Sequence, residues 1–233
     1  NIMKRKRNFH RKDAAMYIHI NRQILYYDKT GNGSPLLLLH GDGEDHTIFD
    51  LLIPMLEQHY TVYAIDTRGH GASNPTDDYH YEGMADDIAE FITSLEIPAP
   101  ALYGFSDGGI VGLLLALHYP GLLSRLMISG ANLNPHGMKW SFLRKARQHY
   151  KKTESPLDRL MIEEPDIPPA GLAGIRIPVL VLAGEHDIIK ASHTKLIAQS
   201  LPDSQLKILP GEDHGSYIIH SSKLYSHIRE FLS

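Results

Sequence analysis

Cysteine is absent from the 233 residues, which excludes disulfides, thiolate metal centres, iron–sulfur clusters and a cysteine nucleophile together. The redox compartment is therefore unmarked. Long apolar runs are missing too. The most apolar stretch, Gly109 to Leu117, is too short to span a bilayer, and the amino terminus lacks the charged-then-apolar order of a secretory signal. No membrane partner is expected, and a cytoplasmic location is. Phosphate-cradling loops are absent as well: there is no Gly-x4-Gly-Lys, and no Gly-x-Gly-x-x-Gly behind a strand-like stretch. Tryptophan occurs once, at Trp140.

What is present suits a folded α/β chain. Hydrophobic residues make up 42%, enough for a sizeable core, and the net charge is -4 with the 15 histidines neutral. The charge is uneven. Lys4, Arg5, Lys6, Arg7, Arg11 and Lys12 fall in the first 12 residues with no acid among them, which leaves 17 bases against 27 acids in the remainder. Such a short basic run reads as a solvated tail, so residues 1–15 are taken as an arm and nucleic acid is not expected as a partner.

Strand-like and helix-like stretches alternate from Met16 onward, separated by Gly, Pro and Asn, without repeats. Met16 to Ile20 and Ile24 to Asp28 predict a hairpin. The four leucines Leu36 to Leu39 predict a strand buried on both faces, and further strands are expected at Thr61 to Asp66, Ala101 to Phe105, Arg125 to Ser129, Val179 to Ala183 and Leu206 to Leu209. Helices are expected at Thr47 to Gln58, Gly83 to Leu95, Asp107 to Leu117, Ala191 to Ser200 and Ser216 to Phe231. The strand rhythm stops between Ala131 and about Ile175, where two helical stretches and a Pro-rich run predict an insertion over the sheet. Residues 16–233 are thus read as one domain with a small helical cap at about 131–175.

Gly104-Phe105-Ser106-Asp107-Gly108 lies where a strand should end and a helix begin, the spacing of a nucleophile elbow. A sharp turn there holds the serine at a helix N-terminus, where free N–H groups favour developing negative charge, and small flanking residues let strand and helix approach. His40-Gly41-Asp42-Gly43 follows the leucine strand, so backbone N–H groups of Asp42 (or Gly43) and Asp107 could jointly hold an oxyanion; His40 itself reads as structural. Asp187 follows the Val179 to Ala183 strand and His214 follows Leu206 to Leu209. The order Ser106, Asp187, His214 at strand ends is that of a hydrolase triad. Glu185 or Asp213 could stand in for Asp187. Glu185-His186-Asp187 and Glu212-Asp213-His214 also admit a metal-ligand reading, but no pair has regular ligand spacing and no metal is assigned.

With these residues, and with Asp66-Thr67-Arg68-Gly69-His70-Gly71-Ala72-Ser73, the chain resembles the α/β-hydrolase fold superfamily over nearly its whole length. The resemblance implies a mostly parallel eight-stranded sheet flanked by helices, nucleophilic attack by Ser106, proton transfer by His214, orientation of the imidazole by Asp187, and no cofactor. A serine at the elbow sets the chain apart from haloalkane dehalogenases and epoxide hydrolases of the fold, which carry aspartate there. The Gly-x-Ser-Asp-Gly-Gly elbow is similar to that of valacyclovirase-like amino-acid ester hydrolases, in which the equivalent of Asp107 meets the substrate's amino group. The expected partner is a small or medium ester or related acyl compound. Trp140, Phe142, Leu143 and Leu160 are candidate acyl-pocket residues. The fold also hosts thioesterases, lactonases, carbon–carbon bond hydrolases and peptidases, and a ligand-binding protein or receptor on the same scaffold is the alternative from another class. Oligomeric state is left open.

Overall fold

The computed structural model describes residues 16–233; the basic arm falls outside the described residues. Eight strands form one sheet: β1 (Met16–Ile20), β2 (Gln23–Thr30), β3 (Ser34–Leu39), β4 (Tyr60–Ile65), β5 (Ala101–Phe105), β6 (Arg125–Ser129), β7 (Val179–Gly184) and β8 (Ser204–Leu209). Their order is β1-β2-β4-β3-β5-β6-β7-β8. β1 and β2 are antiparallel and β2 joins β4 antiparallel, while every pair from β4 through β8 is parallel. This is the mostly parallel eight-stranded sheet that the resemblance implies, on the α/β alternation that the sequence predicts.

Period-2 geometry explains the run of leucines. Leu37 and Leu39 face one layer and Leu36 and Leu38 the other, so all four are fully buried. On the first face pack α2 (Tyr81–Ser94), α3 (Asp107–His118) and α6 (Ala191–Ser200); on the second pack α1 (Ile53–Leu56) and α7 (Tyr225–Leu232). α3 is buried on nearly all sides, as its uniformly apolar sequence requires.

Two expected helices are shorter than predicted. Thr47 to Gln58 divides into a 3-10 turn at His46–Phe49 and the single turn α1. Pro54 has no N–H to continue the ladder, and Asp50 and Leu52 donate three residues back, to Thr47 and Phe49. Ser216 to Phe231 is helical only from Tyr225: His220 takes φ +48° and donates its N–H across to Ile48 O, which interrupts the run.

Between β6 and β7 lie α4 (Trp140–Thr153) and α5 (Pro156–Glu163). Leu160, Ile167 and Leu172 tie this segment into the main core, and Met138, Leu143 and Ile189 make a small cluster of their own. The loops after β3, β5, β7 and β8 all emerge at the C-terminal edge of the parallel strands, beneath this segment.

Candidate active site

Ser106 joins β5 to α3 with φ 52° and ψ -112°, a left-handed conformation that costs a non-glycine residue about 1–3 kcal/mol. The surroundings hold it there. Its N–H donates to Ser129 O at 2.7 Å, and its carbonyl accepts from Gly109 and Ile110 N–H. Gly104 and Gly108 make the turn possible, because a Cβ on Gly104 would collide with the Gly108 carbonyl and one on Gly108 with the carbonyl of Leu39.

Two loops bring partners to this serine. His214 Nε2 lies 3.2 Å from Ser106 Oγ, and His214 Nδ1 lies 2.7 Å from Asp187 Oδ1. Asp187 is buried and also accepts Ile189 N–H at 2.9 Å. With Nδ1–H donated to the carboxylate, Nε2 is left to accept from the serine hydroxyl. The Phe105 ring tilts against the imidazole at 5.0 Å. Gly130, at φ +63°, forms the floor: a Cβ there would strike the His214 ring. The other acids are engaged elsewhere. Glu185 accepts Gly211 N–H, and Asp213 is exposed and caps its own turn through Gly215 and Ser216 N–H.

The N–H groups of Asp42 and Asp107 have no hydrogen-bond partner among the described residues, and Gly41 packs directly against Ser106. N–H donors so placed beside a serine hydroxyl have the arrangement that can stabilise an oxyanion. Gly43 is not brought to the cleft wall. At φ +68° it turns the loop so that Glu44 N–H reaches Gly41 O. His40 is buried, accepting from Thr67 N–H and donating to Gly41 O; burial lowers its pKa to about 4, so it stays neutral.

Ser106 and His214 open on a cleft of about 230 Å³. Met138, Phe142, Met161, Ile188, Ile189 and Ile219 supply its apolar walls, and Asp42, Glu44, Asp107 and Glu164 its carboxyls. Tyr81 Oη donates to Asp107 Oδ1 at 2.9 Å. Burial, then the neighbouring Asp42, push the Asp107 carboxyl up to about 8, against the opposing pull of the Tyr81 hydroxyl. Burial likewise raises Asp42 and Glu44.

Of the four side chains expected in an acyl pocket, Phe142 lines the cleft. Trp140 does not: it is 67% exposed on the outer face of α4, with Arg144 stacked over its ring. It lies along the surface of α4 beside Leu143, Arg144 and Arg147 and outside the cleft that Ser106 and His214 open on. Leu143 packs within the small cluster and Leu160 within the main core. Sequence reasoning missed Tyr81 and Glu164. They meet at the start of α2, where Glu164 accepts from Tyr81 N–H at 3.2 Å and bonds His80 Nδ1 at 2.6 Å, and no local motif marks either.

A family model described as the alpha/beta hydrolase fold matches residues 34–154, just over half of the chain. Among curated proteins, the chain is similar to "Serine hydrolase BPHL" of Homo sapiens, 27% identical over 247 residues covering 92% of this chain and 85% of that protein. "AB hydrolase superfamily protein YisY" of Bacillus subtilis is 26% identical over 263 residues, covering 92% and 98%. Among solved structures, a hydrolase from Pseudomonas aeruginosa superposes with a TM-score of 0.80 at 24% identity, over 95% of this chain and 99% of that one. A thermophilic esterase from Thermogutta terrifontis gives 0.78 at 22%, over 94% and 98%. At those identities the structural likeness speaks for the fold.

Proposed function

The chain belongs to the α/β-hydrolase fold family, and within it we propose a serine hydrolase that cleaves small to medium carboxylic esters through an acyl-enzyme on Ser106. The observation that carries this reading is the unbroken line Ser106 Oγ, His214, Asp187, with spacings of 3.2 and 2.7 Å, at the rim of a cleft.

His214 Nε2 takes the Ser106 proton as Oγ attacks the acyl carbonyl. The Asp42 and Asp107 N–H groups hold the oxyanion of the tetrahedral intermediate, and the imidazolium, stabilised by Asp187, returns the proton to the departing alcohol. Water then repeats the sequence on the acyl-serine. These steps call on no cofactor. Residues 16–233 act as one domain in this reading, and residues 131–175 as a short cap whose Phe142 and Met161 contact the acyl chain. The curated relative named a serine hydrolase supports the chemistry.

Asp107 extends the reading to substrate choice. A carboxyl on the cleft wall, next in sequence to the nucleophile, suits an ester with a nearby ammonium group, as its resemblance to amino-acid ester hydrolases implies. Faster hydrolysis of an α-amino ester than of its uncharged isostere is expected, and equal rates would remove this part.

A fluorophosphonate probe tests the core reading. Labelling is expected at Ser106 and should disappear in Ser106→Ala, with kcat on the preferred p-nitrophenyl ester falling on the order of 10⁴-fold or more. An intact protein that neither takes the probe nor turns over any ester or thioester would be a binding protein on this scaffold.

A further inference from the structure

We propose that Glu44 is the positioning residue of the oxyanion hole: its carboxyl clamps Gly41 and thereby aims the Asp42 N–H at the carbonyl that Ser106 attacks. The inference rests on the ester-hydrolase reading above and deepens it, giving a task to a cleft carboxyl that the triad does not use.

Gly41 is hemmed in on three sides. A Cβ on it would lie 2.9 Å from Glu44 Oε2, 3.1 Å from Ser106 Cβ and 3.3 Å from Phe105 Cδ1. Glycine suits this close approach, but it leaves the backbone loosely restrained, next to a peptide whose N–H must be aimed. Glu44 supplies the restraint from both ends. Its Oε2 accepts Gly41 N–H at 3.0 Å, and its own N–H donates to Gly41 O at 3.3 Å. His40 Nδ1 donates to the same oxygen at 2.8 Å.

The Gly41 carbonyl and the Asp42 N–H belong to one peptide group, which is trans, so the two point opposite ways. Fixing the oxygen fixes the direction of the N–H, and fixing Gly41 N–H holds the peptide before it. The backbone contact survives any side-chain change at position 44; the carboxyl contact is the part that a variant can remove. Without it Gly41 N–H loses its acceptor, and the loop is free to turn the Asp42 N–H off line. The clamp needs an acceptor rather than a charge. Burial raises the Glu44 pKa, and a carboxyl oxygen accepts whether the group is ionised or protonated. A full negative charge beside a forming oxyanion would oppose it, so an amide oxygen in the same place should serve.

Three variants separate the terms. Glu44→Gln keeps the acceptor and drops the charge, Glu44→Asp keeps the charge and shortens the reach, and Glu44→Ala removes both. On the preferred p-nitrophenyl ester, kcat should fall on the order of tenfold or more in the Ala and Asp variants with KM little changed, because a mis-aimed donor loses part of what a deleted one would. Glu44→Gln should recover most of that rate. The reverse order, Asp active and Gln impaired, would make charge the function of Glu44 and overturn the clamp, as would an Ala variant as fast as wild type or a rise in KM alone.

A trifluoromethyl ketone bearing the preferred acyl group reads the hole without turnover: Ser106 Oγ bonds to its carbonyl carbon, His214 takes the serine proton, and the carbonyl oxygen becomes the oxyanion. The matching trifluoromethyl carbinol cannot add. Glu44→Ala should weaken the ketone by on the order of tenfold or more and leave the carbinol unchanged; equal weakening of both would reduce the residue to packing and overturn the assignment. Should Glu44→Ala not fold, Glu44→Asp carries the same comparison. Wild type that is neither labelled at Ser106 nor active on any ester overturns the hydrolase reading itself. Wild type that is labelled, with ketone affinity insensitive to position 44, overturns the clamp alone.

Discussion

A carboxyl crowded by two others and closed off from water keeps its proton far past the ordinary carboxylate range, and Asp107 stands in that position. Its pKa is raised in the fold, so between about pH 4 and pH 8 the unfolded chain has lost a proton that the native state still holds. The contribution is fully present below the unfolded value and is lost as pH climbs through the folded one. Wild type should therefore lose ground to Asp107→Asn as pH rises across that window, at up to about 1.4 kcal/mol per pH unit. Urea denaturation of both proteins at pH 4, 6 and 8 measures it, and a constant difference would mean the group is ionised throughout. At this scale the sequence is legible where chemistry and turn geometry coincide. Ser106 sits in a glycine-framed turn, and Asp187 and His214 follow strands, so their neighbours announce them. Tyr81 has no such frame: its hydroxyl matters only because a residue 26 positions away, Asp107, folds against it.

At the scale of elements, the turn after β4 is braced by ions. Arg68 makes a bidentate pair with Asp87 at 2.7 and 2.9 Å, and bonds Gly83 O and Asp78. Asp66 Oδ1 accepts both the N–H and Nδ1 of His46, and its Oδ2 accepts Ala72 N–H. These contacts bind the Asp66 to Ser73 turn to α2 and to the loop that carries Asp42. Removing one member of a buried pair strands the other charge, so Asp87→Ala should cost about 3–5 kcal/mol of stability. Asp78 is well exposed, and Asp78→Ala should cost about 1 kcal/mol or less. Chemical denaturation separates the two, and similar losses would refute the buried brace. The same scale shows what periodicity conceals. Ile48, Leu52 and Met55 have helical spacing, yet Pro54 and the cross-loop bond from His220 divide or shorten the helices, because a missing donor and a tertiary acceptor are invisible to apolar spacing.

Across the whole molecule, the sheet is the most legible part. β3, β5, β6 and β7 are buried on both faces, so each is written as an almost uninterrupted apolar run. β8 shows less, because it lies at the sheet edge with half its residues exposed. What joins the cleft's walls is hard to read from the chain, since Phe142 and Met161 enter it and Trp140 does not, although all three lie in one short stretch. That stretch also holds the only indole in the chain, out in water on α4 and more than a strand's width of sequence from any part of the sheet. Intrinsic tryptophan emission is therefore a report from one helix above the cleft: it should be red-shifted in the native protein and move little on heating, while far-ultraviolet circular dichroism follows the collapse of the sheet. A large spectral shift that coincides with global melting would place the indole in the interior.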